Sequence, residues 1–153
     1  MKRIFTILSG LMLTMAINAS AFGQIRVVSY NSAQFNGDAN AMAEVLQAAS
    51  DDDSHGFAIP VSIFLFQEVD EAELSTLQSV VGSNYTMATF TDQNDSSWGG
   101  AQAMFYLSTQ FVENTALHND IFTGAGRHAD RWALNVTDYA GKRIFVDRMK
   151  LKA

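Results

Sequence analysis

The run Ile63-Phe64-Leu65-Phe66-Gln67-Glu68-Val69 constrains this chain more than any other stretch. Four large apolar residues stand unbroken, and a carboxylate appears at their end. A short continuous apolar run suits a strand covered on both faces, because alternation is needed only where one face meets water. Glu68 then sits where a central strand leaves the core. An acid there is either a solvated strand end or a ligand held in a rigid frame.

The first 21 residues read as an address. Lys2 and Arg3 form a basic start, Ile4 to Ile17 is mainly apolar, and Ala19-Ser20-Ala21 is an A-x-A site. This is the pattern of a secretory signal peptide, and the apolar run is short for a membrane anchor. An uncut N-terminal anchor is the alternative. The sequence therefore divides into a signal segment, 1–21, and a mature domain, 22–153. An exported protein, periplasmic or extracellular, with no stable membrane insertion after cleavage, is expected. Removing the signal takes the balance from 10 Lys+Arg against 16 Asp+Glu to 8 against 16. That acidity argues against a broad basic face for nucleic acid. It does not exclude a site where a divalent cation meets phosphate. The chain has no cysteine, so disulfides and thiolate zinc sites are ruled out.

Along the mature chain, Ile25 to Asn31 reads as a first strand of β-branched and aromatic residues. Asp38 can cap a helix over Ala39 to Ala49, with Met42, Val45, Leu46 and Ala49 as its apolar stripe. Asp51-Asp52-Asp53 reads as a solvated loop, since its spacing does not match an EF-hand. After Glu68, Asp70 and Glu73 have capping-box spacing before Leu74, Leu77 and Val81. Strands are expected over Tyr85 to Phe90, Ala101 to Leu107 and Gln110 to Thr115. Arg131 to Val136 and Arg143 to Met149 should pair around a turn at Asp138 to Gly141. The Gly-rich stretch 123–127 lacks a P-loop pattern. His55, His118 and His128 fall in predicted loops without metal-ligand spacing and read as solvated. The order β-α-β-α followed by strands predicts an α/β fold, a mixed sheet with two helices on one face.

Several segments then line up: Val28-Ser29-Tyr30-Asn31, Phe66-Gln67-Glu68-Val69, Gly99 to Tyr106, Ile121 to Arg127, Asp130-Arg131-Trp132 and Leu151-Lys152-Ala153. In this order the chain resembles the endonuclease/exonuclease/phosphatase superfamily, the DNase-I-like proteins, and most closely its secreted bacterial members. The resemblance runs from about Ile25 to the end. It implies a DNase-I-like four-layer α/β sandwich, here only its N-terminal half. It also implies Mg2+-dependent (or Mn2+- or Ca2+-dependent) hydrolysis of a phosphoester in a nucleic acid, phospholipid or sugar phosphate. On it, Glu68 is a metal ligand with Asn31 beside it, and Tyr106 and Arg131 approach the scissile phosphate. Magnesium prefers oxygen ligands and needs only one or two carboxylates from protein.

The family's His-Leu-Lys-Ala stands here as Lys150-Leu151-Lys152-Ala153, so Lys150 takes the histidine's place with different donor geometry. The family's later Asp-x-Asn segment and Asp-His pair, which handle the attacking water, have no counterpart. The resemblance thus predicts an N-terminal fragment inactive alone. A truncated or degenerate non-catalytic exported protein, or a binding module, is the competing reading. Residue by residue, bland roles stay open as well. Asn31 can bond its own backbone, Arg131 can pair with Asp130 or Asp138, and Tyr106 can be core. A half sandwich is also expected to self-associate non-specifically through an uncovered inner sheet face.

Overall fold

The apolar run predicts a strand with two covered faces, and that strand is the axis of the fold. The computed structural model describes residues 24–33, 38–52, 59–92, 100–122, 128–138 and 140–149. The predicted signal segment, His55 and Lys150 lie outside the described residues. The elements are β1 (Val27–Asn31), α1 (Ala39–Asp51), β2 (Ile63–Val69), α2 (Leu74–Val81), β3 (Tyr85–Met87) and β4 (Ala101–Leu107). They continue as β5 (Phe111–Glu113), β6 (Asn119–Phe122), β7 (His128–Val136) and β8 (Arg143–Met149).

The first sheet runs β1-β2-β4-β3 and is mixed. β1 and β2 are parallel, whereas β4 is antiparallel to both β2 and β3. In the second sheet β7 is the spine, pairing with β5 and β6 along one edge and β8 along the other.

Alternation along β2 divides its side chains between two cores. Phe64 and Phe66 join Met42, Leu46 and Leu77 of the helices, with Ala103 and Phe105 of β4. Ile63 and Leu65 face the other way and join Met104, Tyr106, Phe111, Trp132 and Leu134 between the sheets. The layers are therefore helices, mixed sheet, second sheet, an α/β arrangement consistent with part of a DNase-I-like sandwich. One expectation is corrected here: the inner apolar face is not uncovered, because Phe111, Trp132 and Leu134 of the second sheet close it.

Local chemistry sets the helices. The Asp38 side chain accepts from the Asn40 N–H at 2.8 Å and starts α1. Of the expected stripe, Met42 and Leu46 are buried, but Val45 is half exposed. The helix ends against Arg26, whose guanidinium donates to the carbonyls of Ser50 at 2.8 Å and of Ala49. A cation at a helix C-terminus meets its unpaired carbonyls and the negative end of its dipole. Before α2, the Glu73 carboxylate accepts from the Asp70 N–H at 3.0 Å, as the capping-box spacing predicts. Among the described residues no helix is long and apolar enough to cross a membrane.

Trp132 joins the two sheets. It is fully buried, and its indole N–H donates to the Thr89 carbonyl at 2.8 Å. Trp132→Ala is expected to cost about 3–5 kcal/mol of folding stability, as large core truncations do. Urea denaturation followed by far-UV circular dichroism measures this.

Candidate functional site

Parallel pairing sets Asn31 opposite Gln67, so the ends of β1 and β2 lie side by side and Glu68 is one residue further on. The register of β2 on β4 then slips: Gln67 faces Gln102, but Val69 faces Ala101. Glu68 is the extra residue of a β-bulge, with φ +57°. Left-handed backbone costs a non-glycine residue about 1–2 kcal/mol.

The bulge changes which way Glu68 faces. Strict alternation would send it after Phe64 and Phe66 into the helix-side core. Val69 fills that core instead. Glu68 is freed to stand at the strand end with Gln67 and Asn31, half exposed. Bulges recur where a fold re-aims one side chain.

Two neighbours hold it. Buried Ser32 shares its hydroxyl proton between the carbonyls of Gln67, 2.8 Å, and Glu68, 3.0 Å. Its N–H donates to the Gln67 carbonyl at 2.9 Å. From the other side Gly100, at φ +72°, packs its backbone on the Glu68–Val69 peptide. A Cβ there would lie 2.9 Å from the Glu68 carbonyl carbon, the Val69 nitrogen and the Val69 oxygen. Only glycine permits this approach.

Asn31 does bond its own backbone: its Oδ1 accepts from the Ala33 N–H at 2.9 Å. A carboxamide oxygen has a second lone pair, so one acceptor site remains. Glu68 and Asn31 together form an oxygen-only donor set with one carboxylate. That fits a hard cation that keeps most of its waters. Among the described residues no three His, Cys, Asp or Glu side chains group to hold a metal.

Two other sequence-predicted site residues are not brought here. Tyr106 pairs with Ile63, at the far end of β2. At a strand rise of about 3.3 Å per residue it is roughly 17 Å along the strand from Glu68. It is buried between the sheets, in a packing role. Arg131 lies on the face of β7 opposite Trp132 and Leu134. It forks onto Asp147 with bonds of 2.7 and 2.8 Å, not onto Asp130 or Asp138. Hydrogen bonding to Asp147 raises the Arg131 pKa, and the same bond lowers that of Asp147. As an exposed pair it contributes little stability. The assignment of Lys150 falls outside the described residues.

The two described histidines are not solvated loop residues. His128 opens β7, and its Nδ1 lies 2.9 Å from both Asp120 oxygens. His118 is only 10% exposed. Its Nε2 is 2.8 Å from the Thr91 hydroxyl and 3.8 Å from Asp130 Oδ1, and its ring leans on Trp132 at 5.9 Å. Asp130 is fully buried, and register sets it directly opposite Asp120. Burial first, then the Asp120 charge, pushes its pKa up to about 7. The sequence hides this cluster because its members are spread over the segments 91, 118–120 and 128–130. The available signal was the alternation His128, Asp130, Trp132, which puts both polar residues on the face that Trp132 buries.

Neither a protein-family model nor a curated protein matches this sequence. Among solved structures the fold is similar to truncated Caenorhabditis elegans TDP2, with a TM-score of 0.53 and 17% identity. The likeness covers 84% of this chain and 47% of that one, so the chain spans about half the length of this neighbour. At this identity the likeness is one of fold.

Gly100→Ala is expected to destabilise the chain by more than the ~1 kcal/mol of an unstrained glycine exchange, because backbone must move. Denaturant unfolding checks the loss, and altered amide shifts at Glu68 and Val69 check its location. Asp130 has a folded pKa of about 7 against an ordinary 3.8, so the folded state holds the proton more tightly. Its contribution is fully present below about pH 4 and is lost as pH rises through 7. Unfolding free energy measured from pH 4 to 8 should fall more in the wild type than in Asp130→Asn.

Proposed function

We propose that this chain is the cation-holding part of an exported phosphoester hydrolase of the endonuclease/exonuclease/phosphatase type. The observation that carries the reading is the seating of Glu68: a carboxylate held in a left-handed bulge beside Asn31 at adjacent strand ends. Backbone strain locked at one acid is a reason to look for function there. The fold likeness to C. elegans TDP2 supports the same superfamily at the level of architecture.

On this reading the Glu68 carboxylate and the second lone pair of Asn31 Oδ1 hold Mg2+, or Mn2+ or Ca2+. The ion, when bound, supplies Lewis-acid polarisation of a phosphoryl oxygen. Ser32 and Gly100 keep the Glu68 backbone in place at the strand end. The substrate class is a phosphoester in a nucleic acid, phospholipid or sugar phosphate, and the acidic charge disfavours long duplex DNA. The competing reading is a non-catalytic binding module.

Mn2+ added to isotope-labelled chain should selectively broaden the amide signals of Asn31, Gln67 and Glu68, and Glu68→Ala should remove that effect. Broadening that ignores the substitution would sink the proposal. Mg2+-dependent hydrolysis of bis(4-nitrophenyl) phosphate above the Glu68→Ala control would reject the binding-module reading.

A further inference from the structure

The corner between β6 and β7 is absorbed by neither the fold nor the cation site. Antiparallel register sets Phe122 opposite His128 and Asp120 opposite Asp130. These four share the face of the sheet that carries Trp132 and Leu134 inward. Both Asp120 oxygens lie 2.9 Å from His128 Nδ1, a contact that restrains the imidazole ring. The Phe122 ring stands against the imidazole with centroids 5.1 Å apart and planes at 57°. The two rings form an angled wall.

That wall is open. Phe122 is 63% exposed, the most exposed large apolar side chain among the described residues. A strand-end aromatic packed only for stability would turn its face into the core, as Trp132 does. The position of the wall adds meaning to its shape. The His128 carbonyl accepts from the Gln102 amide at 3.0 Å, and Gln102 is the register partner of Gln67, beside Glu68. The two-ring corner and the Glu68 bulge are thus tied to the same end of the sandwich.

We propose that the Phe122–His128 corner is the subsite for the organic group of the phosphoester, and that it selects planar aromatic groups over small alkyl groups. This rests on the Glu68 reading for where the phosphate sits. An aryl or nucleobase ring stacks on Phe122, and the imidazole edge forms the second wall. Asp120 is a positioning residue that sets the angle between the walls. The part-exposed Asp120 carboxylate disfavours a bare phosphate here, so the organic end of the ester occupies the corner and the phosphate the Glu68 end.

The test is an NMR titration of the chain in saturating Mg2+ with phenyl phosphate and with methyl phosphate. Phenyl phosphate is expected to bind about tenfold tighter and to shift the Phe122 and His128 ring signals, in line with a single stacking contact. Phe122→Ala should cut the preference to about twofold or less, mainly by weakening phenyl phosphate. Phe122→Trp should restore it, which separates stacking from a loss of fold. Asp120→Asn should lower the preference and alter the His128 tautomer seen in long-range 1H–15N spectra. Equal affinity for the two esters, or a preference that survives Phe122→Ala, overturns the proposal. If neither ester binds while Mn2+ still broadens Glu68, the subsite is wrong and the cation reading stands. If Mn2+ leaves Glu68 untouched but phenyl phosphate still wins, the corner stands and the cation reading is wrong.

Discussion

The candidate site depends on a close contact between two backbones. Gly100 passes so near the Glu68–Val69 peptide that no side chain fits between them. This contact, with the Ser32 hydroxyl on the other flank, holds the bulge that turns Glu68 out of the helix-side core. The conflict it resolves is simple. Phe64, Phe66 and Val69 must all face one way for the core to close, but an intervening acid cannot follow them into apolar surroundings without losing its charge or its solvation. One extra residue in β2 satisfies both demands. The left-handed backbone at Glu68 is the local cost, and packing on either side offsets it.

A second electrostatic conflict lies behind the first. Asp120 and Asp130 are direct cross-strand partners on a face that packs inward, and like charges at such positions repel. The fold answers by making the pair unequal. Asp120 keeps some solvent and leans on His128, whereas Asp130 is sealed under Trp132 and His118 with a pKa near 7. Arg148 stands opposite Asp130 on β8, and burial lowers its pKa. The start of β7 is also bonded to β4, where Gln102 donates to the His128 carbonyl beside the strand end carrying Glu68.

Much of the fold was legible because its signals are local. The unbroken apolar run of β2 needed two covers, and it has them. Asp38 and Asp70–Glu73 mark helix starts by chemistry that acts within three residues. What stayed hidden depends on register. Nothing in Gln67-Glu68-Val69 announces a bulge; it exists because Gly100 sits opposite, 32 positions later. Tyr106 and Arg131 were assigned to the site by their nearness to motif segments. Strand direction put Tyr106 at the wrong end of β4, and period-two alternation put Arg131 on the outer face. His118 and His128 lacked metal spacing in sequence, yet burial in one case and a strand-paired aspartate in the other gave each a structural partner.

Strand direction also explains why the candidate site lies at this end of the sandwich. β1 and β2 run parallel and finish together, while β4 and β7 begin at that same end, so four strand termini converge on one edge of the sandwich. Backbone groups at strand ends are no longer paired within the sheet, and side chains there meet water while their Cα positions stay fixed by the core. Asn31, Glu68 and His128 occupy such positions, and buried Gln102 joins β4 to the start of β7. A cation site needs only this convergence, since water completes the coordination of a hard ion. Moving a proton off an attacking water needs a further group at hydrogen-bonding distance of a defined point in space. The described strands, packed on two cores, bring Asn31 and Glu68 to adjacent ends. Placing a proton acceptor is a separate demand, because core packing fixes Cα positions and not the aim of one side chain.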